Sequence, residues 1–393
     1  MATVFGVALP ALATSLSRLN PIRLLRISST FLLLFVFLLG VKGLGDGFKL
    51  LGNDLIQGFF TATEDPFVGL IIGLLATTLV QSSSVTTSMI VGLVAVPDNP
   101  LPLVNAVPMI MGANIGTTVT ATLVSLAHMG RKEEFQRAFP VAICHDVFNY
   151  LSVLVLLPIE VATGFLRRTA TFIATSLEGV GGFSYESPLR SLLETGFVPI
   201  RGLVEALSST QNGQAALFMI LAAFCIFFSL FFLVRTMRSL VHARVEASVS
   251  KALGSSAILS MTVGMVATVM VQSSSITTSL LVPLGGAGIL KLRDAFPIAI
   301  GANIGTTITA LFAALAVSGP NATAGLEIAV VHLLFNICGT VIIYPVEAIR
   351  RVPLAITQGL ARVAVRSRKK TVVAVAAIFY GLPALILFLA RVL

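Results

Sequence analysis

The chain has 393 residues, of which 56% are hydrophobic and 11% charged, against roughly 45–50% apolar and 25% charged in soluble globular proteins. Its formal charge of +9 would suit nucleic acid on a soluble domain. In so apolar a chain the basic residues read instead as membrane-topology signals, and the composition sets a nucleic-acid-binding role aside. Cys144, Cys225 and Cys338 each stand alone in an apolar segment, which excludes a disulfide framework and a cysteine metal site.

Residues 1–26 lack signal-peptide order, because Arg18, Arg23 and Arg26 follow the mildly apolar start instead of preceding it. They are expected to form a cytoplasmic lead-in. Residues 27–48 are long enough to cross, since about 20 helical residues span roughly 30 Å of hydrocarbon. Gly52–Pro66 is polar and acidic, with Asp54, Glu64 and Asp65. Residues 67–80 are apolar but too short to cross alone, and the polar run Gln81-Ser82-Ser83-Ser84-Val85-Thr86-Thr87-Ser88 ends them. A second apolar arm follows to Val96. Two short arms around a polar tip predict a re-entrant hairpin, which is stable only where the tip is buried in protein or faces water.

Residues 102–127 are interrupted by Gly112-Ala113-Asn114-Ile115-Gly116-Thr117-Thr118, a composition expected to break the helix. A charged loop, Arg131–Arg137, precedes a crossing at 138–159 that contains His145, Asp146 and Asn149. Residues 161–212 are less apolar and are expected to form an extracytoplasmic linker with surface helices.

The order of motifs then begins again. A crossing at 214–235 and a basic stretch to Lys251 lead to Gln272-Ser273-Ser274-Ser275-Ile276-Thr277-Thr278-Ser279, identical to the first run at seven of eight positions. Gly301-Ala302-Asn303-Ile304-Gly305-Thr306-Thr307 follows, and then a crossing with His332 and Asn336. The three motif pairs are offset by 191, 189 and 187 residues, so the chain reads as one long repeat, 27–160 and 213–348. A basic cytoplasmic segment, 349–370, and a C-terminal crossing, 371–393, complete it.

Arg131, Lys132 and Arg137, then Arg235, Arg238, Arg244 and Lys251, then Lys291 and Arg293, and finally Arg350–Lys370 fall on one side if each repeat holds three crossings plus a hairpin. The positive-inside rule makes that side cytoplasmic. An odd number of crossings inverts the second repeat relative to the first. The expected fold is an all-α polytopic membrane protein of two inverted-topology repeats, each with transmembrane helices, a re-entrant helical hairpin and a broken helix.

If the hairpins enter from opposite faces, their tips meet near the midplane. Backbone N–H groups at helix starts suit an oxyanion, and hydroxyl and carbonyl oxygens suit a hard cation such as Na⁺. A glutamine amide oxygen could accept an O–H from a partly protonated oxyanion. Serine and threonine in membrane helices also bond back to their own carbonyls and permit close packing, and the glycine motifs have that reading too. Eight polar positions repeated with glutamine in the same place favour a site. Asp146 is the only carboxylate expected well inside a crossing, with Leu333 as its counterpart. A cation partner is expected there; a hydrogen bond or salt bridge to His145 or Asn149, or a position nearer the membrane surface, is the structural alternative. Neither polar motif contains a nucleophile–base pair, which argues against an enzyme.

The paired Gln-Ser-Ser-Ser runs, the paired Asn-Ile-Gly-Thr runs and the stretch His145-Asp146-Val147-Phe148-Asn149 through Pro158 resemble the type II sodium-phosphate cotransporter family. The likeness covers most of residues 28–347. It implies Na⁺-driven uptake of inorganic phosphate across the cell (inner) membrane, with Na⁺ as the co-transported ion and no organic cofactor. The phosphate set it implies is Gln81, Ser82, Ser83, Ser84, Gln272, Ser273, Ser274 and Ser275, to which Asn114, Asn303, Thr117 and Thr306 are added because the two interrupted segments are expected to lie beside the tips. The Na⁺ set is Gln81, Thr86, Thr118, Asp146, Asn149, Gln272, Thr277 and Thr307. Asp146 matches an aspartate associated with an additional Na⁺ in electrogenic members. The chain departs from animal members at His128 and Arg131, where they carry Gln and Asp, and its 161–212 segment has no Cys and no glycosylation sequon, as in a bacterial member. Alternatives with the same architecture are a Na⁺-coupled transporter of sulfate or arsenate and a passive anion channel. The lipid bilayer and the transported ions are the expected partners, and the oligomeric state is open, a homodimer among the options.

Overall fold

A computed structural model describes residues 21–50, 61–96, 100–181, 190–252, 256–317 and 320–392. The lead-in before Pro21, most of the acidic Gly52–Pro66 segment including Asp54, and parts of the 96–101, 161–212 and 317–325 connections lie outside the described residues. Within them there are helices and no strands. Among the described residues six helical segments are long and apolar enough to cross a membrane: Leu103–Gly130, Lys132–Thr163, Gln211–Leu233, Leu292–Leu315, Ala322–Ile343 and Arg368–Ala390. Large apolar side chains such as Phe31, Leu154, Phe172, Phe224, Val341 and Phe388 are exposed, as a lipid-facing surface requires. The chain is an all-α polytopic membrane protein.

Helix α1 (Pro21–Lys49) lies along the later helix α9 (Gln211–Ala252). Gly40 and Gly47 permit the approach, because a Cβ at either would press on Ile226 or Phe218. Helix α2 (Pro66–Val80) starts on a proline and is capped by Asp65, whose carboxylate accepts from the N–H groups of Phe67 at 2.8 Å and Val68 at 2.9 Å. Its 15 residues reach about 22 Å at 1.5 Å per residue. The chain turns at Gln81 and continues as α3 (Ser83–Val94), a helix–turn–helix at the place of the expected hairpin.

After α4 (Leu103–Thr117), α5 (Val119–Leu126) and a short 3₁₀ turn, α6 (Lys132–Thr163) runs through Pro140 and Pro158 to Gly164, which closes it at φ 64°. Charged residues expected in a loop before α6 form its first turn. The amphipathic helices α7 (Phe165–Gly181) and α8 (Arg190–Leu207) follow. Beyond α9, α10 (Ala257–Val271) and α11 (Ser274–Gly286) form the second hairpin, then α12 (Leu292–Ala316) and α13 (Ala322–Ile343). The C-terminal part contains α14 (Glu347–Arg366), α15 (Arg368–Ala376), a π-turn over Ala377–Gly381 and α16 (Leu382–Val392).

The expectation of a broken helix in each half needs correction in the second. In the second half α12 passes unbroken through Gly301–Thr307. In the first the ladder is interrupted only at Thr118, beyond both glycines, and Thr118 itself keeps right-handed helical angles. The glycines serve packing instead. A Cβ at Gly112 would collide with the Leu70 carbonyl, and one at Gly301 with the Met261 carbonyl. Reciprocal glycines on the arms, Gly73 and Gly264, meet the Met109 and Ile298 carbonyls. Backbone thus lies against backbone where α2 meets α4 and where α10 meets α12.

The other two arms cross between halves. α3 packs on α12 and α13, while α11 packs on α5 and α6. This exchange brings the two hairpin tips together.

Candidate functional site

The two tips are built alike. Gln81 and Gln272 adopt left-handed backbone conformations, φ 57° and 58°, and among the described residues they are the only non-glycine positions with positive φ. Such angles cost an L-residue roughly 1–3 kcal/mol and persist where surroundings impose them. Here each side chain braces its own turn. The Gln81 amide Nε2 donates to the Thr78 carbonyl at 2.5 Å and Gln272 Nε2 to the Val269 carbonyl at 2.6 Å. Each amide oxygen accepts a hydroxyl from a neighbouring helix, Thr120 at 3.1 Å for Gln81 and Thr309 at 3.2 Å for Gln272.

The next residue caps the second arm. Ser82 Oγ accepts from the Val85 N–H at 3.3 Å, and Ser273 Oγ from the Ile276 N–H at 3.4 Å. The Ser83, Ser84, Ser274 and Ser275 N–H groups then occupy first-turn positions with no intrahelical acceptor. Two helix N-termini face one cavity of about 550 Å³ lined by Gln81–Val85 and Gln272–Ile276, together with Val80, Phe227, Leu230, Phe231 and Arg235. Ser274 Oγ is buried there without a hydrogen-bond partner. Partial positive charge from two helix starts, unpaired N–H donors and serine hydroxyls make an anion-binding surface.

All eight residues of the two Gln-Ser-Ser-Ser runs therefore come together. Ser84 Oγ approaches Thr309 Oγ1 at 3.5 Å, and Ser275 Oγ donates to the Thr117 carbonyl at 3.4 Å, so each tip contacts a helix of the other half. The hydroxyls of Thr117 and Thr306 return to the Ala113 and Ala302 carbonyls, and those of Thr118 and Thr307 to Ile115 and Ile304. Thr86 and Thr277 bond back to Ser82 and Ser273, both at 3.3 Å, and Thr277 Oγ1 also accepts from Thr268 at 3.0 Å.

Asn114 and Asn303 are not among the residues lining the cavity. They belong to a buried amide cluster. Asn303 Nδ2 donates to Asn149 Oδ1 at 2.8 Å and to Asn336 Oδ1 at 2.7 Å, while Asn336 Nδ2 donates to Asn114 Oδ1 at 3.3 Å. His332 Nε2 lies 3.3 Å from the same Asn114 oxygen, and Asn149 Nδ2 donates to the Asn114 carbonyl at 2.8 Å. One asparagine from each of α4, α6, α12 and α13 meets at this point.

Asp146 makes no hydrogen bond to this cluster. Its Oδ2 accepts from Thr122 of α5 at 2.7 Å, whereas its Oδ1 is buried without a partner. The alternative of a bond to His145 or Asn149 does not hold, because Asn149 is engaged with α4 and both ring nitrogens of His145 lack partners. A buried, half-satisfied carboxylate fits a cation partner. Among the described residues no cluster of three or more His, Cys, Asp or Glu forms a metal centre.

Sequence reasoning missed Thr120, Thr309, Tyr380 and Arg235. Tyr380, in the π-turn, accepts from Gln81 Nε2 at 3.2 Å and lies 3.5 Å from the Thr78 carbonyl. The threonine pair was visible in principle: they are 189 residues apart, as are the two Asn-Ile-Gly-Thr runs, and stand one helical turn beyond Thr117 and Thr306.

A helical membrane protein with paired short hairpins around an anion-suited cavity defines a class of solute-handling proteins. The chain belongs to the Na⁺/Pi-cotransporter family, whose model matches residues 36–180 and 225–390. Among its curated relatives are sodium-dependent phosphate transport protein 2A of Rattus norvegicus, 31% identical over 447 residues, covering 96% of this chain and 69% of the relative. The Oryctolagus cuniculus 2A protein is 33% identical over 427 residues, 91% of this chain and 66% of its own. The Homo sapiens 2B protein is 30% identical over 441 residues, 89% of this chain and 63% of its own. No solved structure gives a significant match.

Proposed function

We propose that this protein is a sodium-coupled symporter that imports inorganic phosphate by alternating access and catalyses no covalent reaction. The observation that carries the reading is the cavity shared by both Gln-Ser-Ser-Ser tips. Its serine N–H and hydroxyl groups suit the oxygens of a tetrahedral oxyanion, and the glutamine oxygens keep a lone pair for a phosphate O–H. The sodium-dependent phosphate transport proteins among its relatives supply the ion and the substrate.

Na⁺ coupling has an energetic reason. Moving HPO₄²⁻ inward against about 100 mV, inside negative, costs roughly 4.6 kcal/mol at about 2.3 per charge. Two Na⁺ ions cancel that charge, and a third would let the potential drive uptake. Asp146, with an unpartnered oxygen beside Thr122, is the residue assigned to an additional Na⁺. Asn149 and the asparagines it meets can supply amide oxygens to another.

In this reading residues 27–160 and 213–348 are inverted repeats in the cell (inner) membrane, the N-terminus and the 349–370 segment are cytoplasmic, and the 161–212 linker is outside. The short hairpins move relative to the long helices to open the cavity to one side at a time. Proteoliposomes holding the purified chain test it: phosphate should accumulate under an inward Na⁺ gradient and not under K⁺. Flux without Na⁺ would indicate a passive anion channel, and full competition by sulfate or arsenate a different oxyanion.

A further inference from the structure

The lining of the shared cavity contains one charged residue, Arg235, and it belongs to neither tip. It is carried by α9, where Phe227, Phe231 and Arg235 follow one another at four-residue spacing and form one row along the helix. Phe227 and Phe231 stack with centroids 6.2 Å apart and planes 18° from parallel, an apolar wall leading from the serines to the guanidinium. Arg235 is exposed, whereas Ser83, Ser84 and Ser274 are buried, so the cation stands at the rim and the hydroxyls at the inner end. The apolar run of α9 ends at Val234, the residue before Arg235. Arg235 thus opens the basic run through Arg238, Arg244 and Lys251, which the positive-inside rule gives to the cytoplasm. None of the ion pairs among the described residues engages it.

We propose that Arg235 is an anion-collecting and specificity residue at the cytoplasmic mouth of the cavity, holding a doubly charged oxyanion as it passes between the tips and the cytoplasm. This rests on the phosphate reading above. A guanidinium presents a planar fork of donors that matches two oxygens of a tetrahedral anion, and it stays charged throughout the physiological range. At an exposed rim such a charge acts chiefly on capture and on its salt dependence. The rival reading is that Arg235 only anchors α9 at the membrane surface, a role that any long basic side chain fills.

The test uses the full chain in proteoliposomes, with insertion direction assigned by protease access to the 349–370 segment. Radiolabelled phosphate flux is then measured from each face at several ionic strengths. For Arg235→Gln the KM at the cytoplasmic face should rise about threefold to tenfold, tenfold corresponding to about 1.4 kcal/mol. Its salt dependence should flatten, while KM from the opposite face stays within about twofold. Arg235→Lys should fall between variant and wild type. Lys291→Gln, the same charge change at an exposed position outside the cavity, should leave KM unchanged. Wild-type KM and salt dependence in Arg235→Gln, or an equal shift in Lys291→Gln, would overturn the proposal. If Arg235→Gln does not reconstitute, Arg235→Cys is modified with an ammonium-bearing or a sulfonate-bearing thiol reagent. Only the sulfonate adduct should raise the cytoplasmic KM, and equal effects would refute the role. A wild type that moves sulfate but not phosphate under Na⁺ removes the phosphate reading alone, and the Arg235 comparison is then read in sulfate flux.

Discussion

Gln81 and Gln272 share one left-handed backbone geometry, φ 57° and 58°, and each amide oxygen is held by the matching threonine, Thr120 of α5 or Thr309 of α12. The backbone and side-chain parts of this arrangement separate by substitution. Glycine relieves the left-handed strain and alanine keeps it, so Gln81→Gly should be more stable than Gln81→Ala by roughly 1 kcal/mol. Both should lose most phosphate uptake, because neither can hold Thr120. Thermal midpoints in detergent and uptake in vesicles check the two halves of this expectation. Full uptake by Gln81→Gly would reduce the glutamine to a turn former.

The glycine contacts predict stability losses with a particular location. Gly301→Ala places a methyl group against the Met261 carbonyl, and Gly112→Ala does the same at Leu70. Overpacking of this kind costs about 1–3 kcal/mol. Each variant should therefore show a lowered thermal midpoint, and unchanged midpoints would show that the helices are not in backbone contact.

These elements show how far the sequence was legible. The hairpins could be read because their 15-residue arms, Pro66–Val80 and Ala257–Val271, are too short to cross and meet polar runs. The Gly-Ala-Asn-Ile-Gly runs misled, because glycines that break a helix and glycines that let two helices touch have the same local sequence. Only the partner carbonyls distinguish them. Arg235 was hidden for another reason: along the chain it is the first member of a basic cluster, and only folding sets it beside the serines. The grouping of Asn149 and Asn303 with Asn336 likewise depends on tertiary packing.

Tyr380 breaks the likeness between the tips, since its hydroxyl contacts Gln81 and comes from a C-terminal helix without a counterpart in the first half. Removing one hydrogen bond typically costs about 1 kcal/mol, and the Thr120 contact would remain. Tyr380→Phe should therefore slow uptake partially and leave the second tip unaffected, as read by thiol accessibility of cysteines placed at each tip in turn. Equal changes at both tips would show that the tyrosine acts on the whole fold.

Asp146 has one satisfied and one unpartnered oxygen. If it carries an additional Na⁺, Asp146→Gly should lose net charge movement per phosphate while keeping some uptake. Simultaneous current and tracer recording decides this, and an unchanged ratio of charge to phosphate would remove Asp146 from the Na⁺ path.

On the proposed function, one solute site is shared by two tips, neither sufficient alone. Na⁺-driven phosphate uptake in proteoliposomes tests it most directly, comparing wild type with Ser83→Ala/Ser84→Ala and with Ser274→Ala/Ser275→Ala. Each pair of substitutions, which leaves the capping Ser82 or Ser273 in place, should lower uptake at least about tenfold, the effect of roughly 1.4 kcal/mol, with both proteins still folded. Wild-type uptake in either double variant would contradict the shared site.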